Sequence, residues 1–260
     1  MSDSHGKFIW YELMTTDPEA AGAFYEAVIG WTKRDSGMAP EGSYYLFEMP
    51  GSQPLAGGMQ RLLPELAAEG VPPNWTGFVA VDDVDAAAEK CASLGGTIRR
   101  PPQDIPDVGR FAVLADPQGA VFIVMAPKPM DEPGPQMDMT APGFTGWHEL
   151  NAADRYKALD FYSALFGWER IDEMDMGPGG SYLLFGRDGV MMGGIMNAEP
   201  DMPCHGWAFY FNVDALDEAA ERVNDGGGRI VNGPMQVPDG WVLQALDPQG
   251  AYFCLNAPKR

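Results

Sequence analysis

The sequence predicts an α+β protein built from two tandem modules, each a pair of βαβββ units. Three observations lead to this fold class: the chain repeats its ending, repeats a long opening segment, and repeats one Asp-to-Gly spacing four times. The endings DPQGAVFIVMAPK (116–128) and DPQGAYFCLNAPK (247–259) are identical at nine of thirteen positions. Segments that recur in the same order predict repeated structural modules.

The opening segment of each module is a second, longer repeat. WYELMTTDPEAAGAFYEAVIGW (10–31) aligns without a gap with WHELNAADRYKALDFYSALFGW (147–168). We therefore predict a first module over residues 1–129 and a second over residues 143–260. The Pro-rich, aperiodic stretch MDEPGPQMDMTAP between them, residues 130–142, is typical of a linker.

Within each module the pattern doubles again. A spacing of thirteen residues separates an Asp from a Gly in four places: Asp17 and Gly30, Asp82 and Gly95, Asp154 and Gly167, and Asp214 and Gly227. The Asp can cap the first amides of a helix, and the Gly can take the left-handed conformation that ends it. Short alternating runs with turn signals follow each Gly and predict three strands. Four βαβββ units fit this spacing.

Composition and charge narrow the classes of function. The 260 residues carry a formal net charge of −20, which disfavours nucleic acid and anionic membrane surfaces as partners. Three cysteines without a C-x-x-C spacing indicate neither a disulfide framework nor a structural zinc site. With no apolar signal segment at MSDSHGKF and no apolar span of about 18 residues, we expect a cytoplasmic protein.

Three features of the sequence resemble the vicinal oxygen chelate superfamily: paired βαβββ units, a first strand leading into D…FY…GW, and a closing DP-x-G strand. That superfamily includes glyoxalase I, the bleomycin-resistance proteins and the extradiol dioxygenases, and the repeated wording is similar to its two-module, hydroxylase-like branch. The resemblance covers nearly the whole chain. It implies that each module forms a concave, incompletely closed eight-stranded sheet around a ligand cleft. It also favours a monomer, with a dimer as the alternative, because two modules can supply internally the pairing that single-module relatives obtain by dimerising.

The resemblance further implies a divalent metal in the cleft, held by residues on three strands. Those positions fall on Trp10, near Thr76 and on Ile123 in the first module, and on Trp147, near Ala208 and on Cys254 in the second. None is a good His or carboxylate ligand, so we predict that no metal cofactor is bound. The alternative is one divalent metal in the second module, held by His148 or Glu149 with His205 and Cys254.

Two acids are the candidate catalytic residues. Glu12 and Glu149 lie two residues after Trp10 and Trp147, so each shares a strand face with its Trp. A carboxylate there can act as a general acid or base; the structural alternative is a Glu bonded to backbone amides or to a neighbouring Tyr. Ligand contacts are expected from residues on the same strands and at the implied metal positions: Trp10, Met14, Trp147, Asn151, Thr76, Ile123, His205 and Cys254.

The sequence thus indicates a protein similar to glyoxalases and bleomycin-resistance proteins. We expect it to bind a small, partly apolar metabolite without a metal, with proton transfer next to a carbonyl assisted by Glu12 or Glu149 and nearby Tyr side chains. Two other functions stay open: a metal-dependent lyase or dioxygenase of the same superfamily, and a non-catalytic protein that sequesters its ligand.

Overall fold

The computed structural model describes residues 2–38, 44–49, 55–128, 139–177, 180–199, 202 and 204–260. Most of the predicted linker, residues 130–138, lies outside the described residues. The described residues contain sixteen strands and five helices. Those of the first module are β1 (Phe8–Thr15), α1 (Pro18–Ile29), β2 (Thr32–Asp35), β3 (Tyr44–Glu48), β4 (Leu55–Arg61), α2 (Pro64–Ala68), β5 (Asn74–Ala80), α3 (Val84–Ser93), β6 (Thr97–Ile105), β7 (Gly109–Ala115) and β8 (Val121–Pro127). Those of the second module are β9 (Thr145–Ala152), α4 (Arg155–Phe166), β10 (Glu169–Asp175), β11 (Ser181–Arg187), β12 (Val190–Asn197), β13 (Gly206–Asn212), α5 (Leu216–Asp225), β14 (Arg229–Val237), β15 (Gly240–Leu246) and β16 (Tyr252–Ala257).

Each module forms one mixed, open sheet of eight strands. The order is β2-β3-β4-β1-β5-β8-β7-β6 in the first and β10-β11-β12-β9-β13-β16-β15-β14 in the second. The first strand of a βαβββ unit pairs in parallel with the last strand of that unit, as β1 does with β4 and β9 with β12. The remaining pairs within a unit are antiparallel. The predicted fold class of paired βαβββ units in two modules is confirmed.

The helix caps follow the predicted Asp and Gly in two of four cases. The side chain of Asp17 accepts hydrogen bonds from the first amides of α1, and Asp154 does the same for α4; Gly30 and Gly167 end these helices in the left-handed conformation. For α3 and α5 the predicted Asp caps are wrong, whereas Gly95 and Gly227 follow the ends of these helices in the left-handed conformation, as predicted. Asp83, rather than Asp82, caps α3, and α5 starts after Ala215 without a side-chain cap.

One helix was not predicted. The five-residue helix α2 begins with Pro64 in its first turn, where the fixed φ of proline suits a helix and its missing N–H costs nothing. The longest helices, α1 and α4, have 12 residues each. Within the described ranges, no helix combines the length and apolarity needed to cross a membrane.

Packing divides the chain differently from the sheets. A first packing unit comprises residues 1–9, 76–136 and 148–207, and a second comprises residues 10–75, 137–147 and 208–260. Helices α3 and α4 pack together in the first packing unit, and α1 packs with α5 in the second. Each packing unit therefore combines one βαβββ unit of the first module with one of the second.

A buried Tyr–Asp–Trp cluster in the second packing unit accounts for the Asp of the repeated ending. The hydroxyl of Tyr25, on α1, donates to Asp247 Oδ2 at 3.1 Å, and Trp75 Nε1 donates to the Tyr25 oxygen at 2.8 Å. Asp247 Oδ1 accepts from the amides of Gln249 and Ala251 within its own turn. The helix of one module thus supplies the hydroxyl that binds the turn of the other.

The first packing unit contains the matching cluster. Tyr162 donates to Asp116 Oδ2 at 3.2 Å, and Trp207 Nε1 donates to the Tyr162 oxygen at 3.0 Å. Burial raises the pKa of the Asp116 and Asp247 carboxyls and of both phenols. The two DPQG endings are therefore structural, since each presents a carboxylate that satisfies a buried Tyr hydroxyl.

Candidate functional site

One face of β1 carries the predicted catalytic acid. Leu13 and Thr15 on this strand are fully buried, whereas Trp10 and Met14, which point the other way, are only half-buried. Glu12 lies between the last two on the same face, and its side chain is 9 % exposed. The strand alternation that placed Glu12 beside Trp10 in the sequence therefore holds in the structure.

Glu12 is held by side chains from two neighbouring strands. Gln60 Nε2 donates to Glu12 Oε1 at 2.7 Å, and the hydroxyl of Tyr44 also bonds to this carboxylate. Trp10 Nε1 donates to the Tyr44 oxygen at 3.2 Å. Burial, and then the charge of Glu12, raise the pKa of Tyr44 well above its usual value, so this phenol stays protonated and donates. We call Glu12 and Tyr44 the first Glu–Tyr pair.

The second module repeats this arrangement on β9. The Tyr182 hydroxyl donates to Glu149 Oε2 at 2.9 Å. Cys204 lies nearby, where burial and then the Glu149 carboxylate raise the pKa of its thiol to about 12. Its Sγ also donates to the carbonyl oxygen of Trp207 at 3.6 Å. We call Glu149 and Tyr182 the second Glu–Tyr pair.

A glycine lies beneath the Tyr ring of each pair. Gly58 is the β4 partner of Glu12, and Gly194 is the β12 partner of Glu149. A methyl group at Gly58 would overlap the Tyr44 ring, and one at Gly194 would overlap the Tyr182 ring. The ring of each Tyr therefore crosses the middle strand at a position without a side chain, and its hydroxyl reaches the Glu on the far strand.

The preceding glycines have a different role. A methyl group at Gly57 would overlap the carbonyl oxygen of Tyr11 on β1, and one at Gly193 would overlap that of His148 on β9. The Gly-Gly repeats thus combine a close backbone approach with room for a Tyr ring.

The other predicted site residues divide between the packing units. Thr76, Ile123, Asn151 and His205 belong to the first, and Trp10, Met14, Trp147 and Cys254 to the second. Thr76, Ile123, Asn151 and Cys254 are buried, Trp147 is half-buried and His205 is exposed. Asn151 and His205 line one small cavity. Within the second packing unit, Trp10 is joined to Glu12 through Tyr44.

The Tyr of each pair was not singled out by residue number in the sequence. A signal was present, because SYYLF (43–47) and SYLLF (181–185) are aligned repeats that place Tyr44 and Tyr182 at equivalent positions. The contact with Glu12 or Glu149 depends on the strand order β3-β4-β1 and β11-β12-β9. Gln60 was missed for the same reason.

Comparison with known proteins identifies the family. Residues 10–125 match a family described as a glyoxalase-like domain, and residues 145–255 match the glyoxalase/bleomycin resistance protein/dioxygenase superfamily. The chain is also 32% identical over 254 residues to CFP32 of Mycobacterium bovis, named as a candidate glyoxylase, covering 96% of this chain and 94% of that protein. The chain belongs to this glyoxalase/dioxygenase superfamily.

Two further similarities extend over nearly the whole chain. The anthracycline biosynthesis protein DnrV of Streptomyces peucetius is 30% identical over 252 residues, covering 94% of this chain and 90% of that protein. The crystal structure of 2,2',3-trihydroxybiphenyl 1,2-dioxygenase from Sphingomonas wittichii has a TM-score of 0.66 at 13% identity, covering 98% of this chain and 91% of that one. The last similarity shows the fold alone. The predicted relationship to the vicinal oxygen chelate superfamily is confirmed.

The residues present do not fit the divalent metal that superfamily membership suggests. The implied positions carry Trp10, Thr76 and Ile123 in one module and Trp147, Ala208 and Cys254 in the other, which together offer a thiol and a hydroxyl but no imidazole or carboxylate. Across the described ranges, no group of three or more His, Cys, Asp or Glu side chains could hold a metal ion.

His148, one candidate ligand of the alternative metal site, is half-buried against Phe8. Its ring stacks on Phe8 at 4.2 Å between centroids, and its Nδ1 contacts the carbonyl oxygen of Met192 at 2.7 Å. Burial lowers the pKa of His148 to about 4. Strand alternation turns it to the face opposite Glu149, and Cys254 belongs to the other packing unit.

Proposed function

We propose that the protein binds a small, partly apolar carbonyl compound and catalyses proton transfer at the carbon next to that carbonyl, without a metal. Glu12 and Glu149 are the proposed general bases, and Tyr44 and Tyr182 the proposed hydrogen-bond donors. The observation that carries the proposal is the Glu–Tyr pair, which occurs once in each module over an equivalent glycine.

The chemistry needs a base and a donor close together. The carboxylate takes the proton from the carbon as the C–H bond breaks, and the electron pair moves onto the carbonyl oxygen. When the ligand binds, the phenol gives up its hydrogen bond to the Glu and donates to this oxygen instead, which stabilises the enolate that develops. The protonated Glu then either exchanges its proton with solvent and returns a solvent-derived proton to the same carbon, which gives exchange, or delivers the proton to another carbon, which gives isomerisation. A general base of this kind contributes typically about 10²–10⁴-fold to the rate.

The surroundings of the pairs favour a flat ligand. The half-buried Trp10 and Met14 lie on either side of Glu12 on one strand face, and indole and thioether groups pack well against rings. A relative that covers nearly the whole chain is named for anthracycline biosynthesis, and anthracyclines are flat, fused-ring compounds with carbonyl and hydroxyl groups. We therefore propose a fused-ring aromatic ketone as the ligand class.

The test uses 1-tetralone, a flat ketone with exchangeable protons beside its carbonyl. Exchange of these protons in D₂O is followed by NMR with wild-type protein and with Glu12→Gln, Glu149→Gln and the double variant. We expect the double variant to lose about 10²–10⁴-fold of the protein-dependent rate. Glu65→Gln, a change at an exposed Glu on α2, is the matched control and should leave the rate unchanged.

Three results would overturn the proposal. An unchanged rate in the double variant would remove the glutamates from the chemistry. A rate that follows about one tightly held metal ion per chain, measured by elemental analysis of protein purified without chelator, would indicate a metal-dependent lyase or dioxygenase. Saturable binding of 1-tetralone without any exchange would indicate sequestration.

A further inference from the structure

A small cavity in the first packing unit lies where β9 ends. Its volume is about 50 Å³, and its walls include Asn151 and Ala153, the DPQG turn of the first module, and His205 with Gly206 just before β13. Since one water molecule takes about 30 Å³ in the liquid, a cavity of this size accommodates one or two small polar groups and excludes a ring.

The Asn151 side chain has unused hydrogen-bonding capacity. It is 2 % exposed, and among the described residues neither its Nδ2 nor its Oδ1 has a hydrogen-bond partner. Leaving buried polar atoms unpaired costs about 1–3 kcal/mol per group, and native proteins rarely accept this cost without a reason.

Two other polar side chains of the cavity wall, those of Asp116 and Gln118, are already engaged. Asp116 accepts from the amides of Gln118 and Ala120 through Oδ1 and from the Tyr162 hydroxyl through Oδ2. The Gln118 side chain exchanges two hydrogen bonds with the backbone of Asp154, at 2.6 and 2.9 Å. Of these three side chains, Asn151 is therefore the one whose donor and acceptor are both unused.

The two modules differ at the cavity positions. Where the second module has Asn151, the first has Met14, and where the second has His205, two residues before Trp207, the first has Pro73, two residues before Trp75. Both positions are polar in the second module alone. The first module has apolar residues at the equivalent strand end, so polar residues are not needed there for the fold alone.

We propose that the cavity is a polar subsite of the second module that receives a hydroxyl or carbonyl group of the ligand, with the Asn151 amide as its hydrogen-bonding group. The group is not an anion, because the Asp116 carboxylate in the wall and the net charge of −20 oppose negative charge. This inference rests on the proposed function, since Asn151 follows Glu149 by two residues on the same strand face, about 7 Å along β9.

The test compares 1-tetralone with its 5-, 6- and 7-hydroxy derivatives. Affinities are measured by calorimetry for wild-type protein and for Asn151→Met, which installs the residue of the first module. We expect at least one hydroxy derivative to bind wild-type protein about tenfold more tightly than 1-tetralone. Asn151→Met should abolish this preference and leave the affinity for 1-tetralone unchanged. The matched control, Asn224→Met, makes the same change at an exposed position of α5 and should leave the preference intact.

The outcomes separate this inference from the proposed function. If Asn151→Met leaves the hydroxyl preference intact, the cavity holds structural water only and the subsite is overturned. If Asn151→Met removes the preference while Glu12→Gln/Glu149→Gln still exchanges protons at the wild-type rate, the subsite stands and the proposed chemistry fails.

A smaller probe covers the case in which no tetralone binds. Formamide, which fits the cavity, is titrated while the Asn151 side-chain amide signals are followed by ¹⁵N NMR. Saturable shifts of the Asn151 signals support the subsite. Signals that do not respond overturn it. In the control Met14→Asn, the signals of the new side-chain amide should not shift.

Discussion

The first strands of the two modules, β1 and β9, carry the same Trp-x-Glu spacing but differ on either side of it. Tyr11 corresponds to His148, and Met14 to Asn151. The Glu–Tyr pair and the glycine beneath the Tyr are present in both copies. Under the proposed function, the shared residues would provide the chemistry and the residues that differ would select the ligand. The change from Tyr11 to His148 also predicts a different response to acid.

The largest expected difference between the strands is in acid stability. Because the pKa of His148 falls from 6.5 to about 4 on folding, the unfolded chain binds a proton over this interval and the folded chain does not. The contribution of His148 to stability is therefore complete above pH 6.5 and is lost as the pH falls toward 4, by up to about 3 kcal/mol at 1.36 kcal/mol per pKa unit. In urea unfolding between pH 4 and 7, the stability of wild-type protein should fall more steeply with decreasing pH than that of His148→Phe.

Tyr11→Phe is the matched control for His148→Phe. Burial raises the pKa of Tyr11, so this group does not titrate between pH 4 and 7. The control should keep the wild-type slope whatever its effect on stability at neutral pH. An equal slope in His148→Phe would show that the two strands do not differ in this respect.

A smaller effect tests what the modules share. Gly194→Ala and Gly58→Ala place a methyl group against the ring of Tyr182 or Tyr44, and each should lower the free energy of unfolding by about 1–3 kcal/mol. Adding Tyr182→Ala to the first and Tyr44→Ala to the second removes the overlap, so the double variants should cost less than the sum of their single changes. If the losses in free energy of unfolding are additive in either module, the glycine there is needed only for the close approach of the backbones and not to make room for the Tyr ring.

The smallest effect concerns the donor to Glu12. Gln60 corresponds to Met196 in the second module, so Gln60→Met replaces one copy's residue with the other's. In a Glu149→Gln background, which leaves the first site to act, the exchange rate of 1-tetralone should fall up to about tenfold, since one hydrogen bond to the carboxylate is lost. The rate should stay constant if Gln60 has no part in orienting Glu12.

Much of the fold could be predicted because its signals are local and repeated. The α1 and α4 caps, the order of the strands along the chain and the face shared by Trp10 and Glu12 all follow from spacing and alternation. The wrong cap of α3 has a local cause, because Asp82 and Asp83 are adjacent. The repeated Asp–Gly spacing selects Asp82, but the helix begins directly after Asp83. Asp82 instead accepts from the amide and hydroxyl of Ser2, a residue remote in sequence.

The rest depends on long-range pairing that no local pattern encodes. Tyr44 reaches Glu12 across a third strand, so the contact requires the register of β3, β4 and β1 and the absence of a side chain at Gly58. The cavity at Asn151 likewise requires the DPQG turn of the other module. The strand face that each Trp shares with its Glu could be predicted from the sequence, but the Tyr and Gln side chains that bond to the two acids could not be assigned by residue.

The two packing units have a consequence for the continuity of the chain. Because each combines a βαβββ unit from either side of the segment that joins the sheets, a single cut in that segment would leave neither fragment with a complete hydrophobic core. The two fragments would have to reassociate to restore either core, with α1 meeting α5 and α3 meeting α4 across the break. The covalent link thus sets the effective concentration at which the two halves of each core associate.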